Sequence, residues 1–207
     1  MKCKQPASKT SDDQGNTRKV IVSMNLTLDG YLSGPNGELD WHFEYWNEEM
    51  SEKLLQQLDK ADTILLGRLT YEAMSNYWQV KPLEKDFPRQ DLAIADLMNS
   101  HVKVVFSKTR SGPVWNNSIL TIKAPEEVIK GLKQQKGRDI ILYGSASIAY
   151  TIIRCNLADE YRLWIHPVIL GSGNPLFKNL KNRIKLKLTD AIEFDSGVVV
   201  CSYKVVR

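Results

Sequence analysis

The chain lacks any apolar run near the ~18 residues that a membrane-spanning helix needs. Cysteine is scarce: Cys3, Cys155 and Cys201 are odd in number, far apart and never in a Cys-x-x-Cys pair. That argues against a disulfide scaffold or a zinc ribbon and points to separate reduced thiols in a cytoplasmic protein. Histidine is as rare, and His42, His101 and His166 show no His-x-x-x-His spacing. No metal site is expected, and each histidine reads as structural. Charge of one sign is not in excess: 28 basic against 24 acidic residues leave +4. Without a basic stripe or an aromatic-interleaved patch, nucleic acid is not an expected partner. The first residues carry positive charge but no apolar stretch after it, so they do not read as a secretory leader. No internal repeat occurs, and no nucleophile elbow with a Ser-His-Asp order, which disfavours hydrolase chemistry.

What is present suits one soluble domain. Hydrophobic residues make up 43% and charged residues 25% of 207, enough to bury a core without disulfide or metal. Residues 1–18 are polar and read as a disordered tail, leaving a single domain over 19–207. Strands are expected over Val20–Leu28, Thr63–Leu66, Val102–Phe106, Ser118–Ile122 and Asp139–Tyr143. Helices alternate with them. One follows Asn47 as N-cap and carries Met50, Leu54, Leu55, Leu58 and Ala61 on one face. A second is capped by Thr70, a third covers Asp91–Asn99, a fourth runs from Pro125 to a stop at Gly137, and a fifth ends near Asn156. The end of the chain differs: Tyr161–Leu170, Ile184–Phe194 and Val198–Val206 are strands without helices between them, the middle one placing Lys185 and Lys187 on a solvated face. The order predicts an α/β fold with a mixed sheet, mainly parallel, flanked by helices and closed by antiparallel C-terminal strands.

Ligands of open α/β sheets sit beyond the carboxyl ends of the strands. Three strand ends carry similar chemistry. Gly67-Arg68 with Thr70 offers close backbone approach and a guanidinium. Ser107-Lys108-Thr109 offers hydroxyls around an ammonium. Gly144-Ser145-Ala146-Ser147 opens a helix with small residues, whose free N–H groups attract phosphate. Each motif alone is an ordinary turn or cap. Together they suit a phosphorylated dinucleotide, with Lys108 and its hydroxyls at a 2′-phosphate and the helix start at the pyrophosphate.

The segments Ser23–Gly34, Asn36–Trp41, Ala61–Glu72, Val104–Lys108, Ile141–Ser145 and His166–Phe177 resemble the dihydrofolate-reductase-like superfamily. Within it the chain is similar to the RibD C-terminal domain family, in its stand-alone branch, because no His-x-Glu with Pro-Cys-x-x-Cys of the fused zinc deaminase is present. The resemblance implies NADPH, hydride transfer to a small heterocyclic substrate of pyrimidine or pterin type, and a homodimer. By position it places Trp41 and Thr70 near the cofactor and Gly67 and Arg68 at the turn opening the phosphate-side helix. It places Ser107 and Lys108 at the 2′-phosphate, Gly144, Ser145, Ala146 and Ser147 at the pyrophosphate, and Asp29 near the nicotinamide. The chain departs from the riboflavin-pathway reductases at Leu142, where they commonly carry an acidic residue, and at Met74-Ser75-Asn76, where they carry Asp-Asp-Pro.

Two catalytic carboxylates are considered, Asp40 for proton delivery and Asp29. Trp41, Tyr45, Trp46, Tyr77 and Trp78 are rings on which a planar substrate stacks, or else ordinary packing. His166, in an apolar strand before Pro167, reads as a satisfied core or interface histidine. Two functions follow: an NADPH-dependent reductase of a small heterocycle, or a non-catalytic nucleotide-binding homodimer on the same fold.

Overall fold

The computed structural model describes residues 18–109 and 115–207. Ten strands form: β1 (Val20–Thr27), β2 (Tyr31–Ser33), β3 (Ala61–Gly67), β4 (Val102–Phe106), β5 (Ser118–Thr121), β6 (Asp139–Tyr143), β7 (Glu160–His166), β8 (Asn174–Pro175), β9 (Lys185–Glu193) and β10 (Val199–Val206). Eight of them make one sheet in the order β5-β4-β3-β6-β1-β7-β10-β9, and β2 pairs with β8 in a small separate ladder. From β5 to β7 all neighbours are parallel, whereas β10 runs antiparallel to both β7 and β9. The mixed, mainly parallel sheet and its antiparallel C-terminal strands are as the sequence predicts.

The helices are α1 (Glu48–Asp59), α2 (Arg68–Val80), α3 (Leu92–Ser100), α4 (Pro125–Lys133) and α5 (Ala146–Arg154). They cover both faces, because the inner strands alternate their side chains between two cores. Ile21, Ile64, Leu66, Val105 and Ile141 pack with Met50, Leu54 and Leu58 of α1 and Ile94 and Met98 of α3. Val22, Leu65, Val104, Ile140 and Leu142 pack with Ile129 of α4 and Ile148 and Ile152 of α5. Burial on both faces explains why these strands read as unbroken apolar runs. Asn47 caps α1 as expected, its side-chain oxygen accepting the Met50 N–H at 3.0 Å.

Several expectations need correcting. Thr70 caps nothing: α2 opens at Arg68 with Gly67 as N-cap, so Thr70 lies inside the first turn. Helix α4 ends at Lys133 with Gln134 as its C-cap, before Gly137 is reached. Arg18 is not tail. It is buried, donates to Thr63 Oγ1 and the Arg138 carbonyl at 2.7 Å each, and pairs with Asp62. Residues 1–17, including Cys3, lie outside the described residues, while Cys155 and Cys201 are free thiols. Strand β7 stops at His166, short of Leu170, as Pro167 has no N–H for the ladder. Lys185 and Lys187 are exposed on β9, which ends the sheet, and charge there discourages pairing with foreign strands. Among the described residues no helix is long and apolar enough to cross a membrane.

One buried cation ties α3 to β4. Lys103 is fully buried, and its Nζ donates to the Met98 and Asn99 carbonyls at 2.9 Å each, 4.5 Å above the centre of the Trp115 ring. It satisfies carbonyls at the end of α3, that of Asn99 jointly with the Asn117 amide at 3.1 Å. Lys103→Met keeps the volume but takes the donor from the Met98 carbonyl and leaves the Asn99 carbonyl with the Asn117 amide alone. Urea unfolding is expected to show a loss of about 2 kcal/mol, and an unchanged midpoint would refute the capping role.

Candidate functional site

The carboxyl ends of β4, β3, β6, β1 and β7 lie side by side, since the strands neighbour one another in that order. Gly67 stands in register with Phe106, and Thr27 with His166. Adjacent strands are ~4.8 Å apart, so the tips from Ser107-Lys108 to Asp29 span roughly 14 Å of one edge. The structure thus brings together the three strand ends picked out by sequence.

Two of these tips are joined directly. The Gly67 N–H donates to Ser145 Oγ at 2.7 Å. Gly144 and Ser145 adopt φ of +72° and +68°, and for a residue with a side chain the second is uncommon. The pair of left-handed residues turns the chain sharply out of β6 into α5. A Cβ on Gly144 would lie 2.9 Å from Thr70 Cγ2, so only glycine lets the two turns approach this closely. Neither α2 nor α5 has a side-chain cap. Two helix starts therefore present N–H groups and positive dipole ends at one place, with Ala146 and Ser147 in the first turn of α5.

Ser107 is half-buried and anchored by its N–H to the Thr121 carbonyl at 3.1 Å, which leaves Lys108 exposed beside it. Residues 110–114 lie outside the described residues. Arg68 is paired with Glu72 along its own helix at 3.0 Å, both side chains being well exposed. Its fork is therefore shared with a carboxylate and is not reserved for a phosphate.

The two carboxylates are placed differently from each other. Asp29 accepts the Thr27 hydroxyl at 2.6 Å, the Gly171 N–H at 2.8 Å and the Leu170 N–H at 3.3 Å. These bonds, the Thr27 hydroxyl foremost, hold its carboxyl below the ordinary range and clamp the loop after β7 onto the end of β1. Such a group is a positioning residue, ionised and engaged. Asp40 opens a 3₁₀ turn over Asp40–Tyr45 and is exposed.

A feature that the sequence did not disclose lies at the β1–β7 end. His166 is buried, with its ring centre 5.1 Å from that of Trp41 and 5.7 Å from that of Tyr45. Burial, helped by His42 nearby, pushes it down to about 4, so it is neutral at pH 7. It is not satisfied as expected. Nε2 contacts Asn25 Oδ1 at 3.4 Å, but among the described residues buried Nδ1 has no partner, and neither has the buried Trp41 Nε1. Buried polar atoms are normally bonded, so two orphans in one aromatic cluster mark a place for a ligand edge. Of the five rings noted in the sequence only Trp41 and Tyr45 join His166. Trp46 tilts over Trp164, and Tyr77 and Trp78 pack with Phe87. The one available signal was a histidine in an apolar strand beside proline.

This sheet order, with glycine turns and bare helix starts gathered on one edge, defines a protein of the dihydrofolate-reductase-like fold. Dihydrofolate reductase from Enterococcus faecalis, complexed with NADP(H), superposes with a TM-score of 0.57 at 12% identity, over 91% of this chain and 97% of that one. The putative riboflavin biosynthesis protein from Shewanella sp. PV-4 superposes with a TM-score of 0.68 at 20% identity, over 91% and 99%. The family model of the RibD C-terminal domain matches residues 18–200, and the chain belongs to that family. Among relatives by sequence, Uncharacterized protein YyaP of Bacillus subtilis (strain 168) is 39% identical over 186 residues, 90% of this chain and 94% of the other.

Proposed function

We infer that the protein is an NADPH-dependent reductase that delivers a hydride to a small heterocycle of pyrimidine or pterin type, in chemistry of the riboflavin or folate kind. The observation that carries this reading is the Gly67–Ser145 bond, which locks two uncapped helix starts together with Lys108 one strand away. Helix starts of this kind hold phosphate through backbone N–H groups. Gly67, Thr70, Gly144, Ser145, Ala146 and Ser147 would bind the pyrophosphate. Ser107 and Lys108 would bind the 2′-phosphate.

When bound, the cofactor supplies the hydride. The chain's own part is orientation. Trp41 and Tyr45 offer ring faces, and the Trp41 indole N–H and the His166 Nδ1 offer one donor and one acceptor. An amide-like ring edge with an N–H beside a C=O has the complementary pair. Holding such a ring in place lowers the barrier chiefly through proximity. The proton would come from ordered water or from Asp40, because Asp29 is engaged by the β7 loop. The reading includes a homodimer in the cytoplasm, to be checked by light scattering and fractionation.

Tryptophan fluorescence titration tests the cofactor assignment. Lys108→Ala is expected to weaken NADPH about tenfold or more, one charge-assisted contact, and to leave NADH unchanged. Equal weakening of both would contradict the 2′-phosphate contact. Absorbance assays with dihydrofolate and aminopyrimidine substrates then test turnover. The placement of both carboxylates favours a second reading, a nucleotide-binding protein without catalysis. NADPH binding without NADPH oxidation across that panel would support it.

A further inference from the structure

At the opposite end of β7 from His166 lies a polar cavity of about 190 Å³ between the C-terminal half of α1 and the β7-β10-β9 edge. It is lined by Gln57, Lys53 and Lys60 of the α1 side, Glu160 and Arg162 of β7, and Asp190 of β9, among others. Arg162 is largely buried, yet its one partner among the described residues is Glu160, its neighbour along the same strand, at 3.4 Å. Glu160 is shared with Lys19 at 2.7 Å, and Asp190 is paired with Lys53 at 3.2 Å. Lys60 has no ion pair among the described residues.

Gln57 is the decisive residue. It is 3% exposed, and its Nε2 has no acceptor among the described residues. Its amide oxygen ends a hydrogen-bond chain that starts at Trp164. The Trp164 indole N–H donates to Ser23 Oγ at 3.2 Å, and the Ser23 hydroxyl donates in turn to Gln57 Oε1 at 3.1 Å. With the oxygen used there, the NH₂ group is left over at the cavity. Two unpaired amide N–H bonds, most of a guanidinium fork and a free ammonium face two carboxylates that already have cationic partners. Donors and positive charge are therefore in surplus, and the buried amide of Gln57 is the costly unmet donor among them.

We propose that this cavity is a binding site for a small oxyanion, a carboxylate or phosphate group of a metabolite, held by the Arg162 fork, the Gln57 amide and Lys60. Arginine matches the planar two-oxygen edge of such groups, which the long contact to Glu160 leaves available. The site is separate from the strand-end cleft and does not rest on the reductase reading. The ligand bridges α1 to the sheet edge, so its occupancy stabilises the packing of that helix.

The test uses the full chain saturated with NADPH, or with NADP⁺ where turnover interferes, so that phosphate does not report on the cleft. Inorganic phosphate and malonate are titrated by calorimetry and thermal shift, with chloride at matched ionic strength as the blank. Saturable binding of phosphate or malonate below ~10 mM is expected, weakened roughly tenfold or more in Arg162→Met and in Gln57→Leu. Gln57→Leu removes the donors without adding charge, so it decides the matter if Arg162→Met fails to fold. No saturable response, or equal responses in wild type, Arg162→Met and Gln57→Leu, which would mean an adventitious ion only, overturns the proposal.

Discussion

Gly144→Val is expected to abolish NADPH binding, by about a hundredfold or more, and to destabilise the fold by roughly 2–4 kcal/mol. Two costs add at this position. The backbone stands at φ +72°, which a β-branched residue adopts only under strain, and the new Cβ would lie 2.9 Å from Thr70 Cγ2. The chain has little room to yield, because the next residue, Ser145, is also left-handed and is bonded to the Gly67 N–H. Relief therefore means moving the β6 turn away from the β3 turn. That breaks the alignment of the two helix starts, on which the cofactor reading depends. Gly131→Ala is the matched control. It lies within α4 with nothing near its Cβ position, and alanine there is expected to be neutral or to stabilise by ~0.5–1 kcal/mol. Fluorescence titration and urea unfolding of both variants provide the readouts. NADPH affinity retained in Gly144→Val would remove the pyrophosphate loop from the site.

The contrast between these two glycines shows what the sequence can disclose. A glycine after a buried strand signals a tight turn, and Gly67 and Gly144 were legible for that reason. The strands before them were equally plain. Val20–Thr27, Ala61–Gly67 and Asp139–Tyr143 are buried on both faces, so their apolar runs have no helical period. Shorter elements gave no such signal. Strands β2 and β8 have three and two residues, and the 3₁₀ turn at Asp40–Tyr45 is too short to show a period. Thr70 looked like a helix cap because threonine caps helices well, yet the chain begins α2 two residues earlier.

The site was less legible than the fold for a different reason. That the tips at Lys108, Gly67 and Gly144 are neighbours depends on the strand order β4-β3-β6, which no local sequence pattern displays. The clamp role of Asp29 rests on N–H groups 141 and 142 residues away. Local sequence made it a turn residue, the resemblance put it near the nicotinamide, and neither could supply its partners. Likewise, nothing beside His166 in sequence reveals that Nδ1 lacks a donor. That requires knowing every group around it.

That same histidine is expected to destabilise the protein in acid within a defined range. Burial holds His166 neutral and pushes it from 6.5 in the unfolded chain down to about 4. Between those values the unfolded chain binds the extra proton and the folded one does not. The stability that neutral His166 contributes is therefore complete above about pH 6.5 and falls as the pH drops toward 4. At 1.36 kcal/mol per pH unit the loss relative to pH 8 is about 2 kcal/mol at pH 5 and about 3 kcal/mol at pH 4. His101, buried against the Leu58 carbonyl, is shifted in the same direction and adds to the slope. Asp29, held below the ordinary carboxylate range, adds its own loss only at lower pH. The informative comparison is thus wild type against His166→Phe by urea unfolding from pH 4 to 8. Phenylalanine keeps an aromatic ring against Trp41 and Tyr45 but carries no proton. The variant is expected to lose most of the slope between pH 4 and 6.5 while remaining folded at pH 7. Parallel curves would mean that His166 is hydrated or paired in solution, and would remove the orphaned Nδ1 from the site. The same charge change bears on recognition. Protonated His166 would be a donor where the neutral ring accepts, so a heterocycle that donates to Nδ1 should bind more weakly across the same fall in pH. Loss of the slope in stability without any change in ligand pH dependence would assign His166 to packing alone.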